Sequence, residues 1–176
     1  LEILLAGARL LLHQGAPGKA VDELDRALEV ASEAGARNSV IECLGLRAEA
    51  LIDSNALEEA DKVSLEAVSL LEEYPGWLDC SQEVWFTRHR ALTALHSSGL
   101  KSGDPDAALR RAYILLREKA DAFEDSDLRS AFIESLPRHR EIDRAHAGLL
   151  TRMREEGGAR ERSFYEIAKS LHSIVD

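Results

Sequence analysis

The strongest constraint in this sequence is an internal repeat. Residues 18–35 (GKAVDELDRALEVASEAG) and 58–75 (EEADKVSLEAVSLLEEYP) each contain two alanines in corresponding places. These alanines are Ala20 and Ala27 in the first stretch and Ala60 and Ala67 in the second. The preceding stretches match at the same offset through Leu4 and Leu44, Ala8 and Ala48, and Leu11 and Leu51. Because a fixed period of this size is typical of stacked helical hairpins, we predict an all-α helical repeat.

Glycine, proline and asparagine divide the chain into nine predicted helices, because apolar residues recur at steps of three and four between these breakers. Three positions carry local signals for helix ends. Gly35 stands where a left-handed helix exit is expected, and Asn55, followed by Glu58, is predicted to cap the start of a helix. Asp104 before Pro105 predicts an N-cap with proline at the first helical position. The predicted helices are 1–14, 17–34, 38–54, 56–73, 80–98, 105–123, 127–134, 137–155 and 160–176.

Composition excludes several classes of protein. The net charge of −10 argues against a duplex-binding surface, because phosphate contacts need clustered lysine and arginine. Cys43 and Cys80 form neither a disulfide framework nor a metal motif, so we expect a reducing, cytoplasmic setting. No apolar run approaches the ~20 residues of a membrane span. The chain begins at Leu1 and its one methionine is Met153, which leads us to expect a segment of a larger protein.

The first unit, through Leu4, Ala8, Leu11, Ala20, Leu24 and Ala27, resembles the tetratricopeptide repeat (TPR). The second unit matches less completely, because Ser64 replaces the usual large residue, and the third, at 80–123, is degenerate. The resemblance implies a right-handed superhelix of helical hairpins over residues 1–123. The period here is longer than that of the usual TPR, so longer helices are expected.

Two later segments carry further resemblances. Residues 107–142 resemble the closing segment of TPR arrays in large multidomain bacterial regulators, which implies capping helices at 124–158. There Phe132, Ile133 and Leu136 are expected to cover the open end of the array. Residues 163–176 (SFYEIAKSLHSIVD) resemble the segment that leads into a GAF sensor domain in bacterial signalling proteins. This implies a linker helix at 159–176.

In a TPR array the first helix of each hairpin lines the concave face, which binds peptides. The chain has no chaperone-type clamp of basic and amide side chains, and the face is a mixture of apolar and charged residues. We expect it to accept a peptide or a helix of a partner or of the same protein. The residues predicted to line it are Leu5, Arg9, Leu12, Glu42, Glu49, Ile52, Trp85 and Arg88.

The C-terminal helix carries apolar residues at steps of 3, 4 and 3, which is the seam of a heptad. Two interpretations stay open for this seam. It packs back on the hairpins, or it pairs with a second copy in a homodimer. The residues of the seam are Phe164, Ile167, Leu171 and Ile174.

Catalytic and metal signatures are absent from the sequence. It contains no phosphate-binding loop, no nucleophile elbow and no H-E-x-x-H motif, so we expect neither catalysis nor a cofactor. His89 and His96 are two helical turns apart, which is too far to chelate one ion easily, and no metal site is predicted. The RHR triplets at 88–90 and 138–140 suit either an anion site or ion pairs with nearby carboxylates, and we favour ion pairs.

The favoured hypothesis is therefore a non-enzymatic protein-interaction and signal-relay segment of a larger bacterial transcriptional or signalling regulator. By resemblance, the parent protein carries a GAF sensor and an ATPase or kinase module. A second hypothesis is a free-standing TPR adaptor that binds a peptide or helix of a partner. A third, a small α-helical hydrolase, has no supporting group of residues.

Overall fold

The computed structural model describes the backbone of residues 1–73 and 79–175, and the side chains of residues 1–73 and 79–158. Over these ranges the chain forms eight α helices and no strand, so the predicted all-α class is confirmed. The helices are α1 (Glu2–His13), α2 (Pro17–Glu33), α3 (Arg37–Asp53), α4 (Leu57–Glu73), α5 (Ser81–Ser97), α6 (Pro105–Asp121), α7 (Ser126–Ser135) and α8 (Pro137–Val175).

The predicted count of nine helices was wrong, because the last two predicted helices form one. Gly157 and Gly158 lie inside α8 and do not interrupt it. Glycine in a helix interior costs about 1 kcal/mol relative to alanine, but unlike proline it keeps its N–H donor. The expected division between residues 158 and 159 therefore falls inside a continuous helix.

The first three helices end in the same way, at regularly spaced positions of the chain. Gly15, Gly35 and Asn55 have φ angles of 70°, 63° and 59°, which is the left-handed region. At each end the residue that follows the left-handed one donates its N–H to a carbonyl in the last turns of the helix. The N–H of Ala36, for example, donates to the carbonyl of Ala31 at 2.8 Å. This is the Schellman arrangement, and it satisfies carbonyls that the helix leaves free. The prediction for Gly35 was confirmed. Asn55 ends α3 and is not the cap of α4.

Aspartates begin two later helices. Asp104 accepts hydrogen bonds from the N–H groups of Asp106 at 2.9 Å and Ala107 at 3.0 Å, which confirms the predicted N-cap before Pro105. Asp125 plays the same role before α7, where it accepts from the Asp127 N–H at 2.7 Å. These side chains satisfy backbone donors that the first turn of a helix leaves unpaired.

Each of the first six helices packs against the next one in the chain, and α3 also contacts α1 and α5. The helix α8 contacts α5, α6 and α7. Small side chains of the sequence repeat are almost fully buried and let the helices approach closely. These buried residues are Ala8, Ala20, Ala27, Ala48, Ala60 and Ala67.

The C-terminal helices cover α6 differently from the prediction. Ile133 is buried, and the half-buried Phe132 ring packs against Phe123 and His139. Leu136 is exposed, because its extended backbone (ψ of 123°) places it at the turn between α7 and α8. The expectation that Leu136 covers the end of the array was therefore wrong.

Candidate interaction cleft

Helices α1, α3 and α5 and the first turn of α8 enclose a cleft of about 340 Å³. It crosses the helices obliquely, from the end of α1 over the middle of α3 to the beginning of α5. Its apolar floor includes Leu12, Leu46 and Val84. Its charged lining residues are Arg9, Glu42, Glu49, Glu83 and Arg138.

Four of the eight predicted concave-face residues line this cleft. They are Arg9, Leu12, Glu42 and Glu49. Arg9 donates to Glu42 across the α1–α3 junction. The C-terminal half of α1 and the middle of α3 thus lie on one surface of the cleft.

Leu5 and Ile52 lie elsewhere. Leu5 is 1% exposed, because α1 packs on both α2 and α3 and this leucine fills the core between them. Ile52 is half-buried and packs against the cluster formed by α3, α4 and α5, beyond the oblique path of the cleft. Neither of these predicted residues lines the cleft.

Trp85 and Arg88 also lie outside the cleft, because the register of α5 differs from the one assumed. The prediction aligned position 42 of α3 with position 85. The cleft is instead lined by positions 83, 84 and 87 of α5, where Thr87 bonds to Glu49. Trp85 therefore packs, half-buried, against two core clusters. Arg88 is 5% exposed and points to α4, where it pairs with Asp61.

Glu49 is the centre of the charge network in the cleft. It accepts hydrogen bonds from Arg138, from Thr87 at 3.1 Å and from Arg90 at 3.4 Å. Arg138 also donates to Glu141 at 2.9 Å. The favoured interpretation of the RHR triplets as ion-paired arginines agrees with these contacts. Sequence spacing gave no signal for the Arg138 contact, because Arg138 and Glu49 lie far apart in the chain.

Glu83 differs from the other carboxylates of the cleft. Among the described residues, its one ion-pair neighbour is the imidazole of His139, whose Nε2 lies 3.8 Å from Oε1. Burial raises the pKa of Glu83, with smaller opposing effects from His139 and Arg138. Within the described part of the chain, Glu83 is therefore a half-buried carboxylate without a hydrogen-bonded cation, and no motif in the sequence distinguishes it.

A chain of hydrogen bonds determines which ring nitrogen of His139 donates and which accepts. The ammonium of Lys119 can only donate, and it lies 2.7 Å from Oε1 of Gln82. The Gln82 amide nitrogen then faces Nε2 of His139 at 2.9 Å, and Nδ1 of His139 lies 2.8 Å from the carbonyl of Phe132. Because that carbonyl can only accept, Nδ1 carries the proton and Nε2 accepts from Gln82. In this arrangement Nε2 of His139 has no hydrogen to donate to Glu83.

Both cysteines are poor nucleophiles in this setting. Burial raises the pKa of the Cys43 thiol to about 11 and that of the Cys80 thiol to about 12. Cys80 lines the cleft, and Cys43 lies in the core. At neutral pH both sulfurs carry their protons, so neither has the thiolate character of a reactive cysteine.

In the part of the chain with described side chains, no group of three or more histidine, cysteine, aspartate or glutamate residues is placed to hold a metal ion. His89 and His96 instead form hydrogen bonds with the carbonyls of Pro105 and Ser102, at 2.9 and 3.0 Å.

None of the described helices is long and apolar enough to cross a membrane. The predicted seam residues Phe164, Ile167, Leu171 and Ile174 lie outside the residues whose side chains are described. Comparisons with protein-family models, with curated proteins and with solved structures found no match to this chain.

Proposed function

We propose that this chain is a TPR-like helical solenoid whose cleft binds a protein segment. The observation that carries the proposal is the cleft itself, which three alternating helices and the start of α8 build together. Contact of each of the first six helices with the next, and of α3 with both α1 and α5, supports the proposal, because stacked hairpins pack mainly against their neighbours. A right-handed superhelix is the form that the resemblance implies.

The lining of the cleft indicates the chemistry of its ligand. Arg9 and Glu42 neutralise each other, and Glu49 is neutralised by arginines. Among the described residues no cation bonds to Glu83, so a lysine or arginine of the ligand is the complementary group. Apolar side chains of the ligand would cover Leu12, Leu46 and Val84. We therefore propose a short peptide or helix that carries one basic residue among apolar ones.

A selection experiment tests this proposal. Peptides of about 15 residues, long enough to form a short helix, would be selected from a display library against the whole chain. Fluorescence anisotropy would then measure their Kd. We expect selected peptides to carry a basic residue and Glu83→Gln to weaken binding about tenfold, because a hydrogen bond to a charged group is worth about 1.5–3 kcal/mol. Glu29→Gln on α2, which is exposed and outside the cleft, is the matched control. Equal Kd values for the unaltered chain, Glu83→Gln and Glu29→Gln would contradict the proposal.

The wider role is a signal relay in a larger bacterial regulator. Arg138 lines the cleft and lies in the first turn of α8, and α8 continues into the linker proposed at 159–176. A ligand in the cleft therefore contacts the helix that would lead to an output domain. We place the segment in the cytoplasm and assign it no contact with nucleic acid.

Hydrogen exchange distinguishes the relay from the alternative, a free-standing adaptor. With a selected peptide bound, the relay predicts altered amide exchange along α8 beyond the cleft, and unchanged exchange in α2. An adaptor predicts protection in the cleft alone. Oligomeric state tests the linker separately. If the heptad pairs two copies, light scattering will detect a dimer that Ile167→Glu and Leu171→Glu dissociate.

A further inference from the structure

The outward side of α1 is apolar where a terminal helix is expected to be polar. Ile3 is 86% exposed and Leu10 is 55% exposed, and the exposed Ala6 lies between them. Their spacing by steps of three and four puts these side chains in one stripe on the helix. Isolated exposed apolar residues are ordinary, but a continuous apolar stripe indicates a contact surface. None of the three residues lines the cleft.

The internal repeat shows what covers the same stripe on α3. One repeat later the equivalent positions are Cys43, Leu46 and Ala50. Cys43 is 1% exposed and Ala50 is 0% exposed, and Leu46 packs, half-buried, against them. The residues that cover them belong to the hairpin of α1 and α2, and they include Leu5, Ala8, Ala20, Leu24 and Ala27.

The opposite end of the array is closed in a different way. The exposed side of α8 carries charged residues such as Arg140, Glu141 and Arg144. A polar outer face is what the terminal unit of a helical repeat needs for solubility. Up to Arg144 the exposed side of α8 meets this criterion, and beyond it Leu150 and Met153 are exposed. The outward stripe of α1, by contrast, has the composition of an internal helix along its whole length.

We propose that the stripe of Ile3, Ala6 and Leu10 is the docking face for a further helical hairpin of the α1–α2 type. Ile3 and Leu10 are larger than Cys43 and Ala50, so the facing helix must present small side chains. The spacing of Ala20 and Ala27 on α2, two helical turns apart, is the pattern that meets this need. This proposal does not depend on the ligand of the cleft.

The chain itself supplies a probe for the test. A copy of residues 1–40 would be joined ahead of residue 1 of the whole chain, because one repeat of this length places the original α1 where α3 follows α2. We expect the amides of the original α1 to exchange at least about tenfold more slowly in this fusion than in the unfused chain, as buried helices do.

Substitutions in the original α1 locate the contact. Ile3→Glu with Leu10→Glu should abolish the added protection in the fusion. In the unfused chain the same pair should leave the unfolding midpoint nearly unchanged, because both side chains are exposed there. A second version, with Ile3→Cys and Leu10→Ala, gives α1 the α3 side chains at the two outer positions of the stripe and tests whether the added hairpin docks on a face of that kind.

Three results would overturn the proposal. The first is α1 exchange in the fusion that is as fast as in the unfused chain. The second is slow exchange of the α1 amides in the fusion with Ile3→Cys and Leu10→Ala but not in the fusion with the native side chains. Ile3 and Leu10 would then prevent a hairpin from docking. The third is a dimer of the unfused chain that Ile3→Glu and Leu10→Glu dissociate, which would assign the stripe to a second copy.

Discussion

The buried ion pair between α4 and α5 gives the most quantitative prediction. Arg88 is 5% exposed and uses Nη1 for three contacts, with the Asp61 carboxylate, the Asp61 carbonyl at 2.7 Å and Oγ of Ser64 at 3.0 Å. Ser64 is 1% exposed and small enough to leave room for the guanidinium.

Asp61→Ala should cost about 3 kcal/mol of unfolding free energy. Removal of one partner of a buried pair costs about 3–5 kcal/mol, and the lower end applies because two neutral acceptors remain for Arg88. Arg88→Met should cost less, about 1.5 kcal/mol, because the Asp61 side chain is 18% exposed and can bind water. The double variant should lose only about 2 kcal/mol, which makes the coupling energy roughly 2.5 kcal/mol.

Urea unfolding followed by circular dichroism measures all four proteins of this cycle. The exposed pair of Arg26 and Glu23, at 3.4 Å, is the control, and its own cycle should give a coupling below about 0.5 kcal/mol. If the Arg88 cycle gives a coupling as small as the control, the burial argument for this pair is incorrect.

Three further predictions concern single residues. Burial raises the pKa of Glu83 above its ordinary value of 4.5, so the folded chain binds a proton on this carboxylate more tightly than the unfolded chain does. The protein therefore loses stability as pH rises from 4.5 through the pKa of the folded state. Glu83→Gln should therefore raise Tm at pH 7 and lose this advantage below pH 4.5, as measured by thermal unfolding. The Cys80 thiol should react with Ellman's reagent at pH 8 far more slowly than free cysteine, and urea should remove the difference. Asn55→Ala should cost about 1 kcal/mol and Asn55→Gly should not, because φ is 59°, and urea unfolding measures both; equal stabilities would contradict the role of the left-handed turn.

Local signals in the sequence predicted much of the fold. The turn at Gly35 and the cap at Asp104 depend on a few adjacent residues, and both formed where expected. The break at Gly157 did not form, because glycine weakens a helix without removing a backbone donor. A helix end is thus easiest to predict where a capping side chain or a left-handed residue provides hydrogen bonds for the N–H or C=O groups that the helix leaves unpaired.

The cleft was only half predictable, because it depends on how separate helices align. Glu83, Val84 and Thr87 of α5 face the cleft, whereas Trp85 and Arg88 point away from it, and no local pattern in the sequence predicts this orientation. The contribution of Arg138 depends on the packing of α8 across α5. Sequence periodicity determines which face of a helix is apolar, but not which neighbour that face meets.

The length of α8 also has a mechanical consequence. Among the residues with described side chains, Leu149 is the last fully buried one in this helix, and the helix continues from Leu150 to Val175. At 1.5 Å per residue this extension measures about 39 Å, so each degree of tilt about Leu149 displaces its far end by roughly 0.7 Å. A tilt about Leu149 would make the helix a lever whose short arm ends at Arg138, in the wall of the cleft. A tilt of about 3° would then displace the tip by about 2 Å, with no change in the structure of the helix itself.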